Sequence, residues 1–139
     1  MSPMKIKVDF YYILGILQIL IAVGAILSGI AFVIDPSGHK NGISTATLVN
    51  SPFTDFFFPG LFLLTFNGMG NLVSAFMSFI KIEVSGFLGL AFGIILMVWI
   101  VLQVYWMGYG SILQPVYFIL GGVEAIIGVK LLRSVIKAE

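Results

Sequence analysis

The chain contains no cysteine. That excludes a disulfide scaffold, thiol redox chemistry at a membrane, Cys-based zinc sites and palmitoylation. Histidine is nearly missing: His39 is the one copy, and it lies in a polar stretch. A His-rich metal or haem site inside the fold is thereby excluded, and no metal or cofactor is expected. Charge is scarce as well. Asp, Glu, Lys and Arg make up 9% of the 139 residues, where a soluble domain carries about a quarter. A net charge of +1 is too small to point to nucleic acid. What remains is apolar, with 60% hydrophobic residues and a mean hydropathy of +1.13. Only a chain with several membrane spans reaches these values, and the length allows one domain.

The runs divide the chain into four helices. After a short polar start with Lys5 and Lys7, an apolar run extends from about Phe10 to Ile34. It is longer than the roughly 7–15 residues of a signal-peptide core and long enough to cross a hydrocarbon layer of about 30 Å. It is read as a retained first helix. Tyr11 and Tyr12 are expected in an interfacial aromatic belt, and Ala22, Ala25 and Gly29 on one close-packing face. Asp35-Pro-Ser-Gly-His-Lys-Asn-Gly42 supplies turn chemistry and opens a loop outside the membrane, 35–54. The second helix spans about 55–80. Asp55 is its expected N-cap, at the positive end of the helix dipole. A start at Ser51-Pro52 would instead make Pro59 an interior kink. Phe53, Phe56, Phe57 and Phe58 gather at its outer end, and Gly70, Ser74 and Ser78 form a small-residue series. Lys81-Ile-Glu83 is a charged turn. The third helix spans about 86–106 and begins with Gly86, Gly89 and Gly93. The fourth spans about 111–136, opened by a capping box, Ser111-Ile-Leu-Gln114.

The second and fourth helices share their punctuation. Asp55 stands four positions before Pro59, and Ser111 four before Pro115. Lys81 follows Pro59 by twenty-two positions, as Lys137 follows Pro115. The match is loose, but it describes two helical hairpins arranged as a parallel repeat. Basic residues set the orientation. Lys5, Lys7, Lys81, Lys130, Arg133 and Lys137 fall on one side and Lys40 on the other. By the positive-inside rule both termini are cytoplasmic. That bias argues against a dual-topology transporter.

Glu124 is the sharpest polar signal. It stands near the middle of the fourth helix, on the face of Gly121 and Gly128. A charge at that depth costs about 2.5–3.5 kcal/mol on insertion scales, whereas a neutral carboxyl can donate one hydrogen bond and accept others. Asn67 and Asn71 on the second helix are its expected partners. Gln18 and Gln103 are expected to make local interhelical bonds. Such polar clamps contribute about 0.6 kcal/mol each. Catalytic patterns are missing: there is no Ser-His-Asp set, HExxH, P-loop or facing pair of carboxylates.

Ser51-Pro-Phe-Thr-Asp-Phe-Phe-Phe-Pro-Gly-Leu-Phe-Leu63 and Gly108-Tyr-Gly-Ser-Ile-Leu-Gln-Pro115 resemble segments of a broad group of small bacterial four-helix integral membrane proteins. The resemblance covers most of the chain. It implies the fold and a bacterial cytoplasmic (inner) membrane address, and it carries over no catalytic residue. It also pairs the outer ends of the second and fourth helices, with Asp55, Pro59, Gln114 and Pro115 as a joint motif.

The expected architecture is an all-α, four-transmembrane-helix bundle. The leading function is a non-enzymatic membrane protein acting through helix–helix or lipid contacts. Its partners would be membrane lipids, a second copy of itself or another membrane protein. The alternative is a small proton-coupled transporter or permeation unit with Glu124 as the coupling acid. A lipid-acting enzyme would need more convergent polar residues than the chain offers.

Overall fold

A computed structural model describes the backbone of residues 3–138 and the side chains of residues 9–137. The side chains of Lys5 and Lys7, invoked above for orientation, lie outside the described residues. The elements are α1 (Pro3–Ile34), α2 (Phe57–Phe79), α3 (Ser85–Met107) and α4 (Leu113–Ala138). Among the described residues, these four helices are long and apolar enough to cross a membrane. Their outward faces are apolar, as expected where lipid replaces water. Leu27, Phe76 and Ile119 are all more than 60% exposed on the outside of the bundle.

Two antiparallel hairpins make up the bundle. In the first, Gly29 of α1 packs on the backbone of Gly60 and Leu64 in α2, and Gly15 faces the Phe79 ring. A Cβ on Gly29 would come within 2.7 Å of Leu64 N and 2.8 Å of Gly60 O. In the second hairpin, Gly86, Gly89 and Gly93 of α3 meet Gly128 and Gly121 of α4, backbone against backbone. With little hydrophobic force between helices in lipid, such close approach is what holds them together. Ala22 and Ala25 are also buried, as are Ser74 and Ser78. The small-residue faces are therefore filled from within the chain.

Helix boundaries fall within a few residues of expectation, with α1 beginning earlier. The start of α2 resolves the Pro59 question. Pro59 is the third residue of the helix, so it occupies the first turn and kinks nothing. Ser51-Pro52 lies in a turn before it. The C-terminal end of α2 closes with Lys81 N–H on the Ser78 carbonyl and Ile82 N–H on the Met77 carbonyl, at 3.0 and 3.1 Å. This is a Schellman-type stop. It places Lys81 at φ 58°, and its ammonium sits 4.8 Å from the Tyr12 ring centroid.

Two features depart from the sequence reading. Tyr11 is 3% exposed and belongs to the core with Leu14, Leu96 and Trp99 rather than to an outer belt; only Tyr12 faces outward. Residues Leu63–Met69 of α2 form a π-helical segment, with Gly70 N–H bonded to the Thr65 carbonyl five residues back. Thr65 Oγ1 donates to the Leu61 carbonyl at 2.8 Å and Asn71 Nδ2 to the Asn67 carbonyl at 2.9 Å. These side-chain bonds bring extra donors to carbonyls in and beside the widened segment, where the backbone pattern changes. The 35–54 loop is folded over the end of the bundle where α2 begins. It holds two short 3-10 turns, His39–Asn41 and Thr45–Leu48. Leu48 is buried, and Phe56 N–H bonds the Pro36 carbonyl at 2.9 Å. Gly38 takes φ 84° with the Ile43 carbonyl against it, a turn that suits glycine.

Candidate functional site: a buried polar network and a twinned helix start

Glu124 is fully buried, and its expected partners are corrected by the fold. Gln18 of α1, not Asn67 or Asn71, makes the contact: its Nε2 donates to Glu124 Oε2 at 3.2 Å. Gln18 Oε1 in turn accepts from Ser78 of α2. The Ser78 hydroxyl lies 2.8 Å from that oxygen and 3.0 Å from the Ser74 carbonyl, sharing one proton between two acceptors. Three helices, drawn from both hairpins, are thus joined through one carboxamide. Gln18 was expected to bond between helices and does so. Gln103 is half-buried on α3 and takes no part in this network.

Asn67 and Asn71 are also fully buried. With Ser74 and Ser78 they recur at spacings of four, three and four, which keeps them on one face of α2. Asn67 lies inside the π-helical segment. Among the described residues, both polar atoms of its side chain, Asn71 Oδ1, Glu124 Oε1, Ser85 Oγ and Trp99 Nε1 have no hydrogen-bond partner. Buried polar atoms of this kind are rare and each needs a reason. The network joins three helices and leaves several buried polar atoms unmatched.

The N-terminal ends of α2 and α4 are built alike. Phe57 N–H donates to Asp55 Oδ1 at 3.0 Å, and Leu113 N–H donates to Ser111 Oγ at 3.1 Å. Pro59 and Pro115 are each the third residue of their helix. Both caps therefore act two residues on, and both prolines sit where no intrahelical donor is lost. Gln114 departs from the expected box. Its Oε1 accepts from Gly110 N–H at 3.0 Å, one residue ahead of Ser111. The likeness ends at the π-helical segment, which α4 does not share.

The aromatic cluster near Asp55 splits into separate jobs. Phe56 is buried and stacks on Phe32 at 4.8 Å. Phe53 meets Trp106 edge-on at 5.6 Å, and Phe57 meets Phe58 at 5.4 Å. Sequence reasoning missed the tie between Gln18 and Glu124, because nothing local links residues on α1 and α4. The depth of the two residues in their helices was the available signal. No family model matches the chain, and no curated protein or solved structure matches it.

Proposed function

We propose that this is a non-enzymatic multi-pass membrane protein that acts through its outer surface, in an accessory, scaffold or lipid-binding role. The supporting observation is where the special residues are spent. The glycines close the two hairpins, and Glu124 is engaged by Gln18 inside the bundle. What faces outward is large and apolar, as at Leu20, Leu27, Phe76 and Ile119. A surface of that kind meets lipid tails or other membrane helices. Its termini would be cytoplasmic and its address the bacterial inner membrane, as the basic residues and the family resemblance suggest. The test is complementation of a strain lacking the protein. Leu27→Ala and Ile119→Ala should impair it, and Glu124→Gln, which can still pair with Gln18, should not. The reverse pattern would sink this reading.

A second reading, proton-coupled permeation through Glu124, draws on the polar stripe of Asn67, Asn71, Ser74 and Ser78 and on the unmatched Glu124 Oε1. Infrared difference spectroscopy of the purified protein, with Glu124→Gln as control, addresses it. A Glu124 carboxyl band that titrates between about pH 5 and 8 would advance it. A band unchanged across that range would retire it.

A further inference from the structure

A cleft of about 480 Å³ opens where the 35–54 loop meets the start of α2, lined by Pro36, Phe53, Asp55, Phe57 and Phe58 among others. It lies at the outer end of the bundle, away from the Glu124 network. We infer that this cleft is a binding site for an organic ammonium ion, held between the Asp55 carboxylate and the surrounding phenylalanine rings.

The walls are fixed by bonds already described and by a few more. The Phe56 N–H to Pro36 carbonyl bond ties the loop entry to the helix start. Ser51 Oγ donates to the Leu48 carbonyl at 2.8 Å and accepts from Phe53 N–H at 3.2 Å. That sets the Pro52–Phe53 wall, and Trp106 backs the Phe53 ring. Phe57 and Phe58 pack against one another at 81°, which fixes both rings at the cleft. Asp55 uses Oδ1 for the helix cap, a bond that fixes the carboxylate without using Oδ2.

The lining selects its occupant by chemistry. Aromatic faces carry negative potential and attract a cation within about 6 Å of the ring centre. The Asp55 charge repels anions, and a neutral apolar solute would cover that charge without compensating it. A bare metal ion asks for several oxygen ligands, while this lining is mostly carbon. An ammonium bearing carbon substituents meets all of these demands. The volume falls within the roughly 300–1,000 Å³ of small-molecule sites, enough for a headgroup and its first carbons. Such a cation could be a free amine or the headgroup of a zwitterionic phospholipid. The inference rests on the loop and the α2 start alone, so the proposed function can fail without it.

Trp106 offers a reporter beside Phe53. The protein, carrying Trp99→Phe so that Trp106 is its remaining tryptophan, is titrated in maltoside micelles with tetramethylammonium chloride at constant ionic strength. Saturable change in Trp106 fluorescence is expected, with no saturation by neutral tert-butanol. Asp55→Asn keeps an N-cap acceptor and should leave the thermal midpoint in place while weakening binding about tenfold. Phe58→Leu keeps an apolar wall and should weaken binding several-fold. An equal response to tert-butanol would reduce the cleft to an apolar surface. No saturation, or binding indifferent to Asp55→Asn, would overturn the inference. Nanodiscs then separate the two sources. If phosphatidylcholine masks the tetramethylammonium response and phosphatidylglycerol does not, the natural occupant is a lipid headgroup. Equal responses in both assign the site to a free ammonium solute.

Discussion

Gln18 and Glu124, 106 positions apart in the chain, meet at 3.2 Å in the interior of the bundle. Because Gln18 also receives the Ser78 hydroxyl, one side chain of α1 bridges a partner in its own hairpin and a partner in the other. Removing either end leaves a buried polar group without its bond. Glu124→Gln should therefore shift unfolding little, while Glu124→Ala should lower stability by about 1–3 kcal/mol. Denaturation in mixed micelles, followed by helical circular dichroism, measures both. Equal stability of the two variants would mean that the clamp contributes nothing.

Asn67 leads to the opposite expectation. Its carboxamide is buried and has no partner among the described residues. Asn67→Leu removes an unmatched polar group and keeps the branched, four-atom outline of the side chain, though its methyls are bulkier. Stability should be unchanged or higher, by up to about 1–3 kcal/mol. If the thermal midpoint falls, the amide is satisfied in the membrane, and a bound water or solute becomes the thing to look for.

The glycines of α3 and α4 differ sharply in what surrounds them. A Cβ on Gly86 would lie 2.7 Å from Leu132 N and 2.9 Å from Gly128 O, both backbone atoms. A Cβ on Gly122 would have nothing nearer than Met97 Sδ at 3.9 Å. Gly86→Ala should push the hairpin apart and cost about 1–3 kcal/mol, the range for overpacking. Gly122→Ala should be neutral or slightly stabilising, since alanine is the better helix former. The same micelle denaturation distinguishes them.

The loop has a pH response whose sign can be worked out. Hydrogen bonds from the Ser37 hydroxyl and then from Lys40 N–H hold the Asp35 carboxyl below its usual pKa. A carboxyl depressed in the folded state contributes order above its unfolded pKa and loses it as pH falls through the folded value. The turn at 35–40 should therefore stay intact at neutral pH and loosen below about pH 4. Hydrogen exchange at the Lys40 amide reports this directly, and Asp35→Asn should show the loosened behaviour at every pH.

Since the chain has no cysteine, single cysteines can map its orientation. Lys40→Cys should react with an impermeant maleimide added outside intact cells. Glu83→Cys should react only after the membrane is opened. The opposite labelling would reverse the proposed topology.

Much of this was written in composition. In lipid every backbone polar group must be bonded within the chain, so four long apolar runs could only become four helices. Their ends were legible from local chemistry: the Asp55 and Ser111 caps and the first-turn prolines work through neighbours two to four residues away. Glu124 was legible as exceptional, because a lone acid at that depth is costly wherever the helices pack. Its partner was not. Depth along a helix follows from counting residues, but rotation about the axis, and which helices adjoin, follow from packing. That is why Gln18 rather than Asn67 reached Glu124, and why Tyr11 turned inward while Tyr12 faced out. The π-helical segment and the folded loop belong to the same class. Gly29 of α1 packs on Leu64 within the first, and in the second Leu48 of the loop is buried while Phe56 N–H bonds the Pro36 carbonyl. The sequence by itself determined that this chain lives in a membrane as four helices. The tertiary structure alone decided which polar atoms meet, because that depends on close packing between helices and not on the order of residues within any one of them.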